Sequence, residues 1–289
     1  MERLLIIGCG YIARRAIPLL AGHYRIYALI RNDSHKAGLR ALGVTPVSGD
    51  LDDREKLSRI AGLADVVLHF APPPGDGNCD TRTRHLLAAL AQGGLPKRFI
   101  YISTSGVYGD CSGARVSETH PLNPQSERAQ RRVDAELQIR DWANRNGVRA
   151  GILRVPGIYA ENRMPLDRLR ISMPSIVAEE DSYTNHIHAD DLVRIVIAAL
   201  HRGKPNRVYH ASDDSEMKMG DYLDAVADTH HLRRPPRVTR AKAQRLLPDS
   251  LLSFLNESRR LSNGRMKKEL KVKLRYPTVA DLLHTIKNK

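Results

Sequence analysis

Short apolar runs recur through the first 155 residues, separated by stretches in which apolar positions return every three or four residues. The runs are LLIIG (4–8), RIYALI (25–30), VTPVSG (44–49), DVVLHFA (65–71), RFIYIS (98–103) and GILRV (151–155). Their length and β-rich composition predict strands, apolar on both faces. Amphipathic segments near 11–22, 34–42, 53–61, 80–93 and 124–146 predict helices between them. Such alternation predicts an α/β fold, a doubly wound parallel sheet covered by helices on both sides. Beyond residue 155 the pattern breaks. Residues 160–183 read as an excursion, HADDLVRIVIAALHR (188–202) as a helix and VYHAS (208–212) as a further strand. MGDYLDAVADTHHL (219–232) opens a smaller, mostly helical C-terminal lobe. The expected division is 1–159 plus 184–204 for the sheet domain and 160–183 plus 205–289 for the lobe.

Within the helix of 124–146, Asn123 is the expected N-cap and Pro124 the first helical residue. Ala129, Val133 and Leu137 give it an apolar face, and Arg128 and Arg132 stand one turn apart beside that face. The spacing also allows i,i+4 ion pairs, Glu127 with Arg131 and Arg132 with Glu136.

GCGYIA (8–13) follows the first strand and opens a helix, giving Gly8, Gly10 and Ala13 a G-x-G-x-x-A spacing with Tyr11 and Ile12 between them. The first glycine permits a tight turn and the second lets a pyrophosphate approach the backbone. The third small residue lets helix and strand pack closely, with the helix N-terminus facing the anion. The whole turn is therefore expected at a dinucleotide. The second strand ends in Arg31 and Asn32, where an acid would bind the ribose of NAD. Arg31, aided by Ser34 and Lys36, suits the 2′-phosphate of NADP, whereas Asp33 keeps NAD open; NADP is the favoured cofactor. Asp50 with Leu51, Ala71 with Pro72, and Ser103, Thr104 and Tyr108 end the third, fourth and fifth strands, where such a cofactor lies.

Charge adds one asymmetry. Of a net +14, residues 232–276 hold 14 Lys or Arg against three acids, Asp249, Glu257 and Glu269, a net +11. A basic lobe suits a small anionic ligand; nucleic acid is not expected, because no stacking or base-reading motif accompanies the charge. No apolar run approaches the ~20 residues of a membrane helix, and MERLLIIGCGY reads as a first strand instead of a signal peptide. Three cysteines without metal-ligand spacing fit a reducing cytoplasm. His186 and His188 are two apart, on opposite faces of a strand, so no metal site is expected.

Together, GCGYIA, the GDL of 49–51, STSGVYG (103–109), the E-T-x-P-L-x-P of 118–124, LRVPGIY (153–159) and NHIHADDL (185–192) resemble the extended short-chain dehydrogenase/reductase family, the nucleotide-sugar epimerases and dehydratases. The resemblance covers almost the whole chain. It implies a Rossmann sheet with a C-terminal substrate lobe, Thr104 at the family's active-site Ser/Thr position, and Pro156 near the nicotinamide. It also exposes a departure. The family carries Tyr-x-x-x-Lys after P-x-S-x, with a Glu four residues after the Lys. Glu136 sets that register, so Arg128 stands at the Tyr position and Arg132 at the Lys position. Arg keeps its proton near neutral pH and cannot replace Tyr as an acid or base. In this place Arg128 is expected to clamp substrate charge and Arg132 to contact the cofactor, with proton transfer left to Tyr108, Thr104 or water. The resemblance thus identifies an atypical member. It implies an NAD(P)-dependent oxidoreductase or epimerase acting on a nucleotide-sugar or another anionic hydroxyl or carbonyl compound, as monomer or homodimer. The lost Tyr also fits a non-catalytic NAD(P)-binding sensor or scaffold.

Overall fold

The computed structural model describes residues 1–288. Seven parallel strands form one sheet: β1 (Glu2–Ile7), β2 (Tyr24–Ile30), β3 (Thr45–Ser48), β4 (Val66–His69), β5 (Arg98–Thr104), β6 (Arg149–Val155) and β7 (Arg207–His210). Their spatial order is β3-β2-β1-β4-β5-β6-β7, so the chain reverses its direction of travel between β1 and β4 and leaves a crevice there. Strand residues alternate between two cores. Leu4, Ile6 and Ile100 pack with Ile17 of α1 (Tyr11–Leu20) and with Leu192 and Val196. Leu5, Ile7, Phe99 and Tyr101 pack on the other face with Leu86, Ile139 and Trp142. The sheet is a doubly wound Rossmann fold, with helices on both faces.

Remaining helices of this domain are α2 (Lys36–Ala41), α3 (Thr81–Leu90) and α4 (Glu127–Asn146). The segment expected as a helix near 53–61 is a 3₁₀ turn, Arg54–Ile60, started by Asp53, whose carboxylate accepts from the Glu55 amide. At α4 the cap is Ser126, whose hydroxyl accepts from the Ala129 amide at 3.3 Å; Asn123 and Pro124 precede the helix. The Asn123 amide donates to the Val107 carbonyl, which holds it outside the helix. The buried face is also rotated from expectation. Ala135, Ile139, Trp142 and Ala143 join Ala129 in the interior, and Leu137 is exposed. The buried stripe is set by the partners it meets, Leu86 and Leu90 of α3 and Phe99 and Tyr101 of β5, which local spacing does not show.

After β6, α5 (Leu166–Arg170) enters the lobe, α6 (Ala189–Arg202) returns to the sheet, and α7 (Met219–Thr229), α8 (Arg240–Leu246) and α9 (Asp249–Leu255) build the lobe. Its core joins Leu169 of α5 and Leu223 and Val226 of α7 to Leu282 and Leu283 of α11 (Val279–Lys287). The boundary expected at 205 is corrected, because Arg207–His210 pairs with β6 as the last strand of the sheet. α10 (Gly264–Leu270) likewise buries Met266 and Leu270 in the sheet's core, beside α6. Of the two-stranded pairings, Arg115–Val116 with Arg260–Leu261 joins the sheet domain to the lobe, and Ser175–Ile176 with Arg237–Val238 lies within the lobe. Among the described residues no helix is long and apolar enough to cross a membrane.

Candidate active site

The crevice at the carboxyl ends of the strands divides into two cavities, one over β1–β3 and one between β5 and the lobe.

The first, about 430 Å³, is lined by Gly8, Arg31, Asn32, Asp50, Leu51, Ala71 and Pro72, together with Arg14 and Arg82. Gly8 has φ +88, and a Cβ there would sit 2.5 Å from the Ala71 nitrogen, so the turn needs glycine for both torsion and space. Gly10 caps α1, and a Cβ added to it would meet nothing within 4 Å, which leaves the open backbone approach a pyrophosphate requires. Ala13 is buried against the sheet and Ile12 packs at the edge of the same core. Tyr11 does something the motif does not announce. Its hydroxyl donates to Asn162 at 2.6 Å and accepts from Arg15 at 2.7 Å, while the guanidiniums of Arg15 and Arg163 each lie 4.7 Å from its ring. It ties the start of α1 to the turn at 161–163. The residues of this half fit a dinucleotide.

At the ribose end, Arg31 is two-thirds exposed and lies 3.9 Å from Asp52. Asp52 is already held by Arg82, through two contacts of 2.7 Å. Asn32 accepts from the Ser34 amide at 2.9 Å and shapes the turn. Asp33 pairs with Lys36 at 2.8 Å and accepts from Ser48 at 3.2 Å, and its carboxyl is held below its ordinary range by the Lys36 contact. The acid that kept NAD open is therefore engaged with Lys36, and Arg31 and Arg82 flank Asp52 at this end of the cleft.

The second cavity, about 390 Å³, is lined by Thr104, Ser105 and Gly106 from the end of β5, by Arg128 and Pro156, and by lobe residues. Thr104 Oγ1 accepts from the Gly106 amide at 3.2 Å, which leaves its proton free for a ligand. Arg128 lines the cavity from the first turn of α4. Its guanidinium stacks 3.8 Å from the centre of the Phe254 ring and makes no hydrogen bond among the described residues. Burial, with the like charges of Arg132 and Arg259, holds it below its usual value against the opposing pull of Glu257.

Three expected site residues do not meet the cavity. Arg132 turns back onto β5 and donates to the Tyr101 hydroxyl at 2.9 Å and the Ile102 carbonyl at 2.7 Å. Ser103 is buried and donates to Glu136 at 2.6 Å. Tyr108 is buried too: it accepts from Arg154 at 2.6 Å and shares a hydrogen bond of 2.5 Å with His210, and burial pushes it up to about 12. Glu136 forms a buried two-point pair with Arg154, Nε to Oε1 at 3.1 Å and Nη2 to Oε2 at 2.7 Å. The Glu136 that set the register thus answers Arg154 across the sheet, and the spacing-derived pair with Arg132 is absent; Glu127 with Arg131 is present at 3.6 Å. Tyr108 is corrected from a proton carrier to a member of this buried network.

The lobe adds residues that no local pattern flagged. Glu257, the carboxylate nearest Gly106, accepts from Arg259 at 2.9 Å, and Arg259 also donates to the Gly109 carbonyl at 2.7 Å. His186 lines the cavity with its ring 4.3 Å from that of Tyr222, and burial pushes it down to about 4. His188 faces away, stacking on Tyr276 at 4.0 Å and accepting from the Asp190 amide at 3.2 Å to cap α6.

The sequence pattern of the NAD dependent epimerase/dehydratase family matches residues 4–212. The chain is 29% identical over 192 residues to the dTDP-glucose 4,6-dehydratase of Mycobacterium tuberculosis, a match covering 59% of this chain and 57% of that one, under two thirds of the relative's length. It is 25% identical over 250 residues to the 4-hydroxy-2-methyl-3-oxo-4-farnesyl-3,4-dihydroquinoline-1-oxide ketoreductase of Stigmatella aurantiaca, covering 81% of this chain and 74% of that one. A solved structure of a functionally unknown conserved protein from Silicibacter pomeroyi superposes with a TM-score of 0.81 at 29% identity, covering 100% of this chain and 99% of that one. A Rossmann sheet, a glycine turn shaped for a dinucleotide and a lobe closing the second cavity accompany a family match over more than two thirds of the chain, which therefore belongs to the NAD dependent epimerase/dehydratase family.

Proposed function

We propose that this protein is an NAD(P)-dependent oxidoreductase or epimerase acting on an anionic compound that carries a hydroxyl or carbonyl group, with NADP preferred over NAD. One observation carries the reading. Arg128 lines the cavity that Thr104 also lines, with its hydrogen-bonding edge unspent, at the position the sequence resemblance gives to the family's Tyr. A guanidinium so placed binds carboxylate or phosphate in a two-point contact. Nucleotide-sugars enter as candidate substrates through the mycobacterial relative, and a dihydroquinoline oxide enters through the Stigmatella ketoreductase.

The nicotinamide, when bound, supplies hydride exchange. Thr104 donates its proton to the substrate oxygen, polarising a carbonyl or orienting an alcohol. Arg128 fixes the substrate's charge, and Pro156 and Ile158 exclude water from one wall. In the oxidative direction Thr104 Oγ1 would accept the alcohol's proton as its own passes to a water, because Arg128 keeps its proton and Tyr108 is sealed behind the sheet end.

The test is to incubate the protein with NADP, NAD and their reduced forms and a panel of nucleotide-sugars and hydroxy or oxo acids, following nicotinamide absorbance. Turnover of an anionic compound that falls steeply in Arg128→Ala and Thr104→Val, with cofactor binding retained, is the expected result. Tight cofactor binding with no turnover of any member of the panel would favour a binding role.

A further inference from the structure

We propose that Arg14 is a second cation for the 2′-phosphate of NADP, forming with Arg31 a two-sided phosphate clamp in the first cavity. The inference rests on the NADP reading and names a specificity-determining residue on α1, away from the end of β2.

Two adjacent arginines stand near the start of α1, and the protein itself answers only one of them. Arg15 donates to the Asp190 carboxylate and to the Tyr11 hydroxyl. Arg14, the fourth residue of the helix, is exposed, lines the first cavity and forms no ion pair among the described residues. A cation in that place is unfavourable by itself, because the first turn of a helix already presents unpaired amides and the positive end of the dipole. No acid in the first turn of α1 offsets it. The guanidinium also lies close enough to the glycine turn for its charge to oppose the upward push that burial gives the Cys9 thiol. A charge kept against local electrostatics, with no partner in the chain, is the kind of broken rule that a ligand site explains.

Charge balance identifies the ligand group. A phosphate monoester carries about −1.5 to −2 near neutral pH, so one guanidinium does not neutralise it. At the ribose end most charges are already matched. Lys36 is paired with Asp33, and Arg82 with Asp52. Arg31 lies 3.9 Å from the Asp52 that Arg82 already holds. Asp50, the one carboxylate of the lining, accepts from the Asp52 amide at 3.1 Å. Arg14 and Arg31 therefore remain as two guanidiniums without a carboxylate of their own, one from the helix side of the cavity and one from the strand side. Asn32 and His35 line the same cavity. Each guanidinium can offer a phosphate two parallel donors.

Calorimetry with two matched pairs of ligands tests the idea: NADP against NAD, and 2′,5′-ADP against 5′-AMP. Within each pair the first compound differs by its 2′-phosphate. Arg14→Gln should weaken NADP and 2′,5′-ADP about tenfold or more while changing NAD and 5′-AMP little. Arg14→Lys keeps the charge without the fork and should lose less. The double variant with Arg31→Gln should bind NADP no more tightly than NAD. The thermal midpoint of Arg14→Gln should not fall, since an unpaired cation leaves the positive end of a helix. The inference is overturned if Arg14→Gln binds NADP like the parent, or if it loses NADP and NAD equally, which would put the residue at the pyrophosphate. A parent that binds NAD more tightly than NADP defeats the cofactor reading and this inference with it. Loss of NADP in Arg31→Gln but not in Arg14→Gln defeats this inference alone.

Discussion

Arg31 ends β2 as an exposed cation, with the nearby acids Asp33 and Asp52 paired to Lys36 and Arg82. Arg31→Asp should therefore reverse the cofactor order from NADP to NAD, by about tenfold or more in each affinity, since a charge-assisted hydrogen bond is worth ~1.5–3 kcal/mol. Calorimetry finding the same order in both proteins would sink the assignment. The two arginines of α4 should separate cleanly. Arg128→Ala should weaken ligand and leave stability nearly unchanged, because its guanidinium holds no protein acceptor. Arg132→Ala strips the donor from Tyr101 and the Ile102 carbonyl and should cost ~1–3 kcal/mol in urea unfolding, with cofactor affinity nearly unaltered. A cofactor defect without a stability loss in Arg132→Ala would return that residue to the site. At this scale the sequence showed the Arg128 position but not Tyr108's role. Burial of a Tyr depends on Arg154 and His210, 46 and 102 residues away along the chain.

Elements were legible where their stabilising contacts are local. The seven strands, the glycine turn and α6 follow from runs, alternation and i,i+4 recurrence, interactions that sequence spacing encodes directly. The start of α4 was not, because Asn123 and Ser126 are both good caps and the Val107 carbonyl, supplied from the 3₁₀ turn after β5, selects between them. Ser126→Ala should consequently destabilise the protein by ~1 kcal/mol, and Asn123→Ala by much less. Equal losses in thermal unfolding would mean that the helix is entered at 124 in solution. The orientation of α4 was likewise decided from outside. Ile139 and Trp142 find the second core only when α3 and β5 are in place.

For the whole molecule, three buried histidines set the acid limit. His69 and His210 are pushed down to about 3 and His186 to about 4 by burial, against an ordinary 6.5. The unfolded chain takes up these protons first, so stability is full above 6.5 and is lost as pH falls toward those folded values. Asp213, raised to about 7 by burial from 3.8, acts oppositely, its contribution being full below 3.8 and lost as pH rises toward 7. Three groups outweigh one, so the urea midpoint should fall between about pH 7 and about pH 5; a flat or rising midpoint would refute the buried neutral histidines. The basic lobe shows the same dependence on the third dimension. Arg234, Arg237, Arg260, Arg265 and Lys267 meet Asp228, Asp224, Glu216, Glu118 and Asp214, acids that lie outside the +11 window, so part of that charge is spent internally. By itself the sequence determined the alternating sheet domain and the glycine turn that opens α1, because each is written in residues close together in the chain. Tertiary structure alone decided that Glu136 serves Arg154, that Arg132 turns away, that Tyr108 is sealed, and that Phe254 and Glu257 complete the second cavity. Those contacts join segments tens to more than a hundred residues apart, and no spacing rule carries their partners.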